Sequence, residues 1–175
     1  MEIYLIRHTA PLVTPGFIYG RTEVELRASF DEEAGIIQQK LPKNLDVVYS
    51  SPSRRCTQLA ALLSTDYQID DRLYEFHFGD WEGQTWDTID PRESQAWMDD
   101  FVNVSTPNGE NMLQMQARVM AFWQDITQTS AEKLAIVTHG GVIRLLLAAD
   151  RKLPLRSAFD IQVGYGDVFL LHPRE

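Results

Sequence analysis

Apolar residues fall in four short runs, separated by longer stretches with helical spacing. Glu2–Arg7 (EIYLIR), Leu45–Tyr49 (LDVVY) and Leu134–Thr138 (LAIVT) are almost continuously apolar and rich in Val and Ile. A strand covered on both faces has no solvent side to mark with polar residues, so these runs predict central strands of a parallel sheet. Gln162–His172 (QVGYGDVFLLH) is a fourth predicted strand, bent or bulged at its glycines. Helices are predicted between them. Ser29-Phe30-Asp31-Glu32 reads as a capping box opening a helix to about Leu41, before Pro42. Ser51-Pro52 places a cap before a proline at the first helical position, followed by Cys56, Leu59, Leu62 and Leu63 at helical spacing. Longer apolar periodicity runs from about Glu110 to Gln128, and another helix starts at Gly140-Gly141 and continues through Ile143, Leu146 and Leu147. Strand and helix alternate, so the expected fold class is α/β: a mostly parallel central sheet with helices on both faces. Residues 70–108 break the rhythm. Rich in Trp, Asp and Glu, they are expected to form a small insertion over the active site with one short helix near Glu93–Phe101, within a single domain spanning residues 1–175.

Composition narrows the class. The 175 residues carry a formal charge of −9, are 44% hydrophobic and 23% charged. That is globular composition at a length that buries roughly 70% of the unfolded surface. An acidic chain without a basic run is a poor partner for nucleic acid or an anionic membrane. No apolar segment approaches the ~20 residues that cross a bilayer, and the opening MEIYLIRHTAP lacks the pattern of a signal peptide. The lone Cys56 cannot form an internal disulfide. The expectation is a cytoplasmic monomer or small homo-oligomer.

In an open parallel sheet, ligands bind beyond the carboxyl ends of the strands. Here those ends read Arg7-His8-Thr9, Ser50-Ser51-Pro52-Ser53-Arg54-Arg55 and His139-Gly140-Gly141. Taken singly, each is an ordinary strand end, cap or turn. Their joint occurrence offers two histidines, arginines and helix N-termini to one anion, most simply a phosphate. His8, His77, His139 and His172 lie far apart without metal-ligand spacing, and the strand ends present cations, so no metal is expected. A neutral imidazole is a good nucleophile, its phosphoramidate is hydrolysable, and guanidinium groups can hold the equatorial charge of a transferring phosphoryl. The leaving alkoxide then needs a proton donor. Glu75 and Glu82, set among aromatics in Leu73-Tyr74-Glu75-Phe76-His77-Phe78-Gly79-Asp80-Trp81-Glu82-Gly83, are candidates, since desolvation favours the protonated acid.

Together these segments resemble, in order, the motifs of the histidine phosphatase (phosphoglycerate mutase-like) superfamily: Arg7-His8-Thr9, Ser51-Pro52-Ser53-Arg54-Arg55, Leu73-Tyr74-Glu75 with Phe78-Gly79-Asp80-Trp81-Glu82-Gly83, and Thr138-His139-Gly140-Gly141-Val142. The resemblance implies that His8 is phosphorylated, that Arg7, Arg55 and His139 hold the phosphate, and that Glu75 is the proton donor. Glu82 is left a structural residue, Arg54 a solvent-facing one, and His77 and His172 match no role. The chain departs from the pattern at Thr9, where glycine is usual, and at Thr14, where a phosphate-contacting asparagine is usual; Thr14 and Arg21 are taken as substrate-binding positions. No cofactor is implied. Arg-His-Thr-x-Pro, Tyr19-Gly20-Arg21-Thr22-Glu23 and Trp97-Met98-x-Asp100-Phe101-Val102-Asn103 look most like α-ribazole phosphatases, which act on a nucleotide monoester in cobalamin assembly. Phe78, Trp81 and Trp97 could stack on its flat base. The alternatives are another small phosphoester (a sugar phosphate or phosphoglycerate type), protein phosphohistidine, a mutase, or a silent phosphate-binding module.

Overall fold

The computed structural model describes residues 1–173. Five strands, β1 (Glu2–Arg7), β2 (Val47–Ser50), β3 (Gln68–Ile69), β4 (Lys133–Thr138) and β5 (Val168–Leu171), form one sheet in the order β3-β2-β4-β1-β5. Every pairing is parallel except β5, which runs antiparallel along β1 at the edge. Helices α1 (Phe30–Gln39) and α2 (Arg54–Leu63) cover one face, and α4 (Met112–Thr127) and α5 (Gly140–Asp150) the other.

The uninterrupted apolar runs are explained by this double cover. Ile3 and Leu5 of β1 and Leu134 and Ile136 of β4 pack with Met115, Val119 and Phe122 on one side. Ile6, Val48, Ala135 and Val137 point the other way, against Ala34, Ile37, Cys56 and Leu59. Ile3, Leu5, Ile6, Leu134, Ile136 and Val137 are all fully buried, so truncating one of the larger ones to Ala would cost roughly 2–5 kcal/mol.

Local chemistry moved several element ends. Ser29 caps no backbone group; its Oγ donates to Glu33 (2.7 Å), whose other oxygen accepts the Ala10 amide and ties α1 to the loop after β1. Helix α2 begins at Arg54 behind Ser53 rather than at Pro52; the Ser51 hydroxyl lies 2.7 Å from His139 Nε2 and accepts only a long bond (3.4 Å) from the Ser53 amide. Residues 162–167 are loop instead of strand: Gly166 takes a positive φ of 71°, and its amide donates to the carbonyl of His8. The two-residue edge strand β3 is exposed and carries no apolar periodicity that would have announced it.

Between β3 and α4 lie short 3₁₀ turns and α3 (Pro91–Asp99), which Asp90 caps by accepting the Arg92 amide. Phe76, Trp81, Ile89 and Trp97 of this stretch are buried in the same core as α4 and α5. Among the described residues, no helix is long and apolar enough to cross a membrane.

Candidate active site

Strand order brings the chemistry together. With β4 between β2 and β1, the carboxyl ends carrying Arg7-His8, Ser51 to Arg55 and His139 are immediate neighbours. His8 and His139 lie edge to face with ring centroids 5.3 Å apart. They line or back a cleft of about 200 Å³, whose polar end holds Arg7, His8, Arg55, Glu75 and Arg144.

His8 is buried, and its Nδ1 lies 2.8 Å from the carbonyl oxygen of Thr9. A carbonyl only accepts, so the ring proton sits on Nδ1 and Nε2 keeps its lone pair. Burial first, then the charges of Arg55 and Arg7, push the pKa of His8 down to about 3 against the partial support of that carbonyl, so the ring is neutral near pH 7. His139 is fully buried and lowered for the same reasons, burial above all and then Arg55. Because Arg55 can only donate to His139 Nδ1 (3.2 Å), the His139 proton is on Nε2, which donates to Ser51 Oγ (2.7 Å).

Both arginines are held by backbone carbonyls, with no carboxylate in salt-bridge contact among the described residues. Arg55, 1% exposed, donates to the carbonyls of Gly20 (2.6 Å), Thr22 (3.0 Å) and Tyr19 (3.4 Å). Arg7 donates to the carbonyl of Val163 (2.5 Å). The Nε–H of each is buried without an acceptor among the described residues. Buried donors of this kind are rare in a folded protein and cost about 1–3 kcal/mol each, which a bound anion would recover. Gly20 has to be glycine, since a β-carbon there would run into the carbonyl of Phe76.

Glu75 projects into the cleft with each oxygen placed by a backbone amide, Phe76 on one (2.9 Å) and Gly141 at the start of α5 on the other (3.1 Å). Close approach depends on Gly141, where a β-carbon would collide with the Glu75 carboxyl. Behind it, Arg118 and Glu110 form a two-armed ion pair (2.6 and 3.2 Å), and Arg118 also binds the carbonyls of Arg72, Tyr74 and Glu75. Arg118 thus fixes the backbone that aims Glu75. Glu82 is structural, as its motif position suggested: it accepts from Arg21 N, Thr22 N and Thr22 Oγ1, pinning the loop whose carbonyls hold Arg55.

Two expected binding residues are not brought into the cleft. Thr14 is exposed on a turn, its carbonyl accepting the Phe17 amide, so no donor replaces the usual asparagine there. Arg21 lies outside the cleft with its guanidinium 4.9 Å from the centroid of the Tyr74 ring. Thr9, the other departure, is buried, and its hydroxyl has no partner among the described residues. Trp81 and Trp97 are core residues, 3% and 7% exposed, rather than cleft walls. Of the three aromatics expected to stack, Phe78 does line the cleft, beside Phe17, Tyr19, Phe76, Trp86 and Phe159.

Sequence reasoning missed Arg144. Its Nε donates to the carbonyl of Ile161 (3.0 Å), its guanidinium approaches Gly140 beside that of Arg7, and it lines the cleft. Burial, then Arg7, lower its pKa while Glu75 opposes the shift. The available signal was a single charge inside the otherwise apolar run Val142–Ala148. Among the described residues, no three His, Cys, Asp or Glu side chains are grouped to hold a metal ion.

A family model described as the histidine phosphatase superfamily (branch 1) matches residues 3–175. Adenosylcobalamin/alpha-ribazole phosphatase of Escherichia coli is 27% identical over 95% of this chain and 87% of its own length. Putative phosphoserine phosphatase 2 of Hydrogenobacter thermophilus is 26% identical over 98% of this chain and 89% of its own. The crystal structure of the alpha-ribazole phosphatase from Shigella flexneri superposes with a TM-score of 0.91 at 26% identity, covering 100% of this chain and 92% of that one.

Proposed function

The chain belongs to the histidine phosphatase superfamily and is a phosphomonoester hydrolase; from that premise we propose that it acts through a phosphohistidine on His8 and that its substrate is α-ribazole 5′-phosphate, in cobalamin assembly. The observation that carries the mechanism is the His8 tautomer. Thr9 holds the Nδ1 proton, so the Nε2 lone pair of a neutral ring is available beside two guanidinium groups.

Nε2 attacks phosphorus, the P–N bond forms and the ester P–O bond breaks. The departing alkoxide takes a proton from Glu75. Arg7 and Arg55 hold the equatorial oxygens, with the Nε–H groups that have no protein acceptor available to the phosphate. The Thr9 carbonyl supports the positive charge that develops on the imidazole. In the second half, Glu75 takes a proton from water as its oxygen attacks phosphorus; the P–N bond breaks and inorganic phosphate leaves.

The aromatic wall of Phe17, Phe78, Trp86 and Phe159 supports the nucleotide reading, because a flat base can stack there. Arg144 favours a second reading, a small phosphomonoester bearing a carboxylate, since it is a further half-buried cation lining the same cleft. The workplace of either activity is the cytoplasm, on a small-molecule substrate and without a cofactor.

The test is phosphate release from α-ribazole 5′-phosphate, phosphoserine, sugar phosphates and p-nitrophenyl phosphate in EDTA. We expect the nucleotide to lead the panel, His8→Ala to abolish turnover, and EDTA to leave rates unchanged. Turnover surviving in His8→Ala removes the mechanism, and a flat panel removes the substrate assignment. Glu75→Gln should slow alkyl esters by roughly 10²–10⁴-fold but p-nitrophenyl phosphate far less, since p-nitrophenolate needs little protonation. Equal slowing would remove Glu75 as the acid.

A further inference from the structure

The two arginines of the phosphate end belong to different parts of the chain. Arg55 is held by the carbonyls of loop 19–22, between β1 and α1. Arg7 is held by the carbonyl of Val163, at the head of loop 163–167 before β5. Each loop also lays a tyrosine on its arginine. Tyr165 lies face-on to Arg7, with Cζ 4.0 Å from the ring centroid, and Tyr19 lies under Arg55 at 5.3 Å. The phenol oxygens of these tyrosines meet at 2.7 Å, across 146 residues of sequence. Among the described residues, this is the one hydrogen bond joining the two loops. The Tyr165 ring also stands 5.7 Å from the His8 ring, so the bridge crosses next to the nucleophile.

We propose that Tyr19 and Tyr165 are positioning residues that act as one unit, fixing the spacing of Arg7 and Arg55 around the phosphoryl group. This rests on the phosphohistidine reading and adds the device that sets its cation geometry. Arg7 and Arg55 are like charges, and no carboxylate among the described residues bridges them. Their repulsion pushes the two loops apart until an anion arrives, and the phenol bridge opposes that separation. The ring faces contribute a second restraint through cation–π attraction, worth more where the arginine is desolvated. Burial and the bond to Tyr165 raise the pKa of Tyr19, so the phenol stays protonated and the bridge is present across the working pH range. A pocket held at one spacing suits the trigonal-bipyramidal phosphoryl group better than one free to widen, because preorganised charge needs no rearrangement in the transition state.

The test is a double-mutant cycle with Tyr19→Phe, Tyr165→Phe and the double variant. Phenylalanine keeps each ring over its arginine and removes only the bridge. The readouts are kcat/KM for p-nitrophenyl phosphate and the Kd of orthovanadate by calorimetry, which needs no turnover. We expect each single variant to weaken vanadate binding and lower kcat/KM about fivefold, as one lost hydrogen bond would, with the melting temperature lowered by no more than about 2–4 °C. The double variant should be no worse than either single one, because both remove the same bond. Tyr165→Leu, which also uncovers Arg7, should lose roughly 30-fold. Effects that multiply to about 25-fold in the double variant, or vanadate affinity unchanged in both single variants, overturn the proposal. The two readings fail separately. Turnover persisting in His8→Ala strikes down the phosphohistidine, whereas an inactive His8→Ala with a multiplicative cycle strikes down the tyrosine unit alone.

Discussion

The two ends of the cleft are built on opposite principles. At the charged end, groups from three strand ends and two distant loops meet, and they meet at a cost: two buried guanidinium donors without acceptors among the described residues and two histidines held neutral. At the other end, Phe78 and Trp86 belong to one aromatic cluster with Phe76, Trp81, Trp97 and Phe101, drawn from a single stretch of chain and joined there by Phe159. Their rings satisfy one another by packing. The contrast separates roles. On the proposed function, the first end is the place for an anion and the packed end the place of substrate choice, since ring packing there is separate from the buried charged groups.

The strongest way to break this contrast is at Arg55. Arg55→Ala should lower kcat/KM by about 10²–10³-fold for every substrate alike, the loss seen when one fixed donor to a transition-state oxygen is removed. It should also melt lower, because the carbonyls of Tyr19, Gly20 and Thr22 lose their donor. Arg55→Lys should recover stability more than rate, since an ammonium cannot reproduce the fork. A loss confined to one substrate would move Arg55 out of the shared machinery.

The strain can be read thermodynamically. His8 is lowered to about 3 in the folded state, against about 6.5 when unfolded. Between those values the unfolded chain binds the extra proton, so stability falls as pH drops from about 6.5 towards 3. At pH 5, His8 alone accounts for about 2 kcal/mol of that loss. His8→Gln should therefore lose about 2 kcal/mol less than the wild type between pH 7 and pH 5 in urea melts. Parallel curves would mean that His8 is not held neutral by its surroundings.

The smallest effect belongs to the aromatic wall. Trp86→Ala should raise KM for α-ribazole 5′-phosphate about 3–10-fold, the worth of one ring contact, and shift the preference towards phosphoserine while His8 chemistry continues. A uniform fall in kcat over the whole panel would show that the two ends are coupled after all.

Much of this was legible along the chain. Continuous apolar runs announced strands covered on both faces, because such strands have no polar side to display. Arg7, His8, Arg55 and His139 stand at strand ends and helix starts that the chain itself displays, Glu75 is singled out only through the family motif it resembles, and the fold brings all five side chains to one cleft or its backing. Arg144 and Arg118 could not be picked out: each is a single charge on an otherwise ordinary helix, and only the neighbours across the fold reveal its use. Thr14 and Arg21 show the converse, positions named from a linear pattern that do not line the cleft.

The amino-acid sequence by itself determined the α/β class, the strand ends that carry the histidines and arginines, and the residue types that meet there, since these follow from periodicity and local turns. Tertiary structure alone decided that β4 lies between β1 and β2, which proton His8 keeps, and that Tyr19 reaches Tyr165. The physical reason is range. Hydrophobic patterning and capping act between residues a few positions apart, whereas strand order, desolvation and a hydrogen bond across 146 residues exist only after the chain has closed on itself.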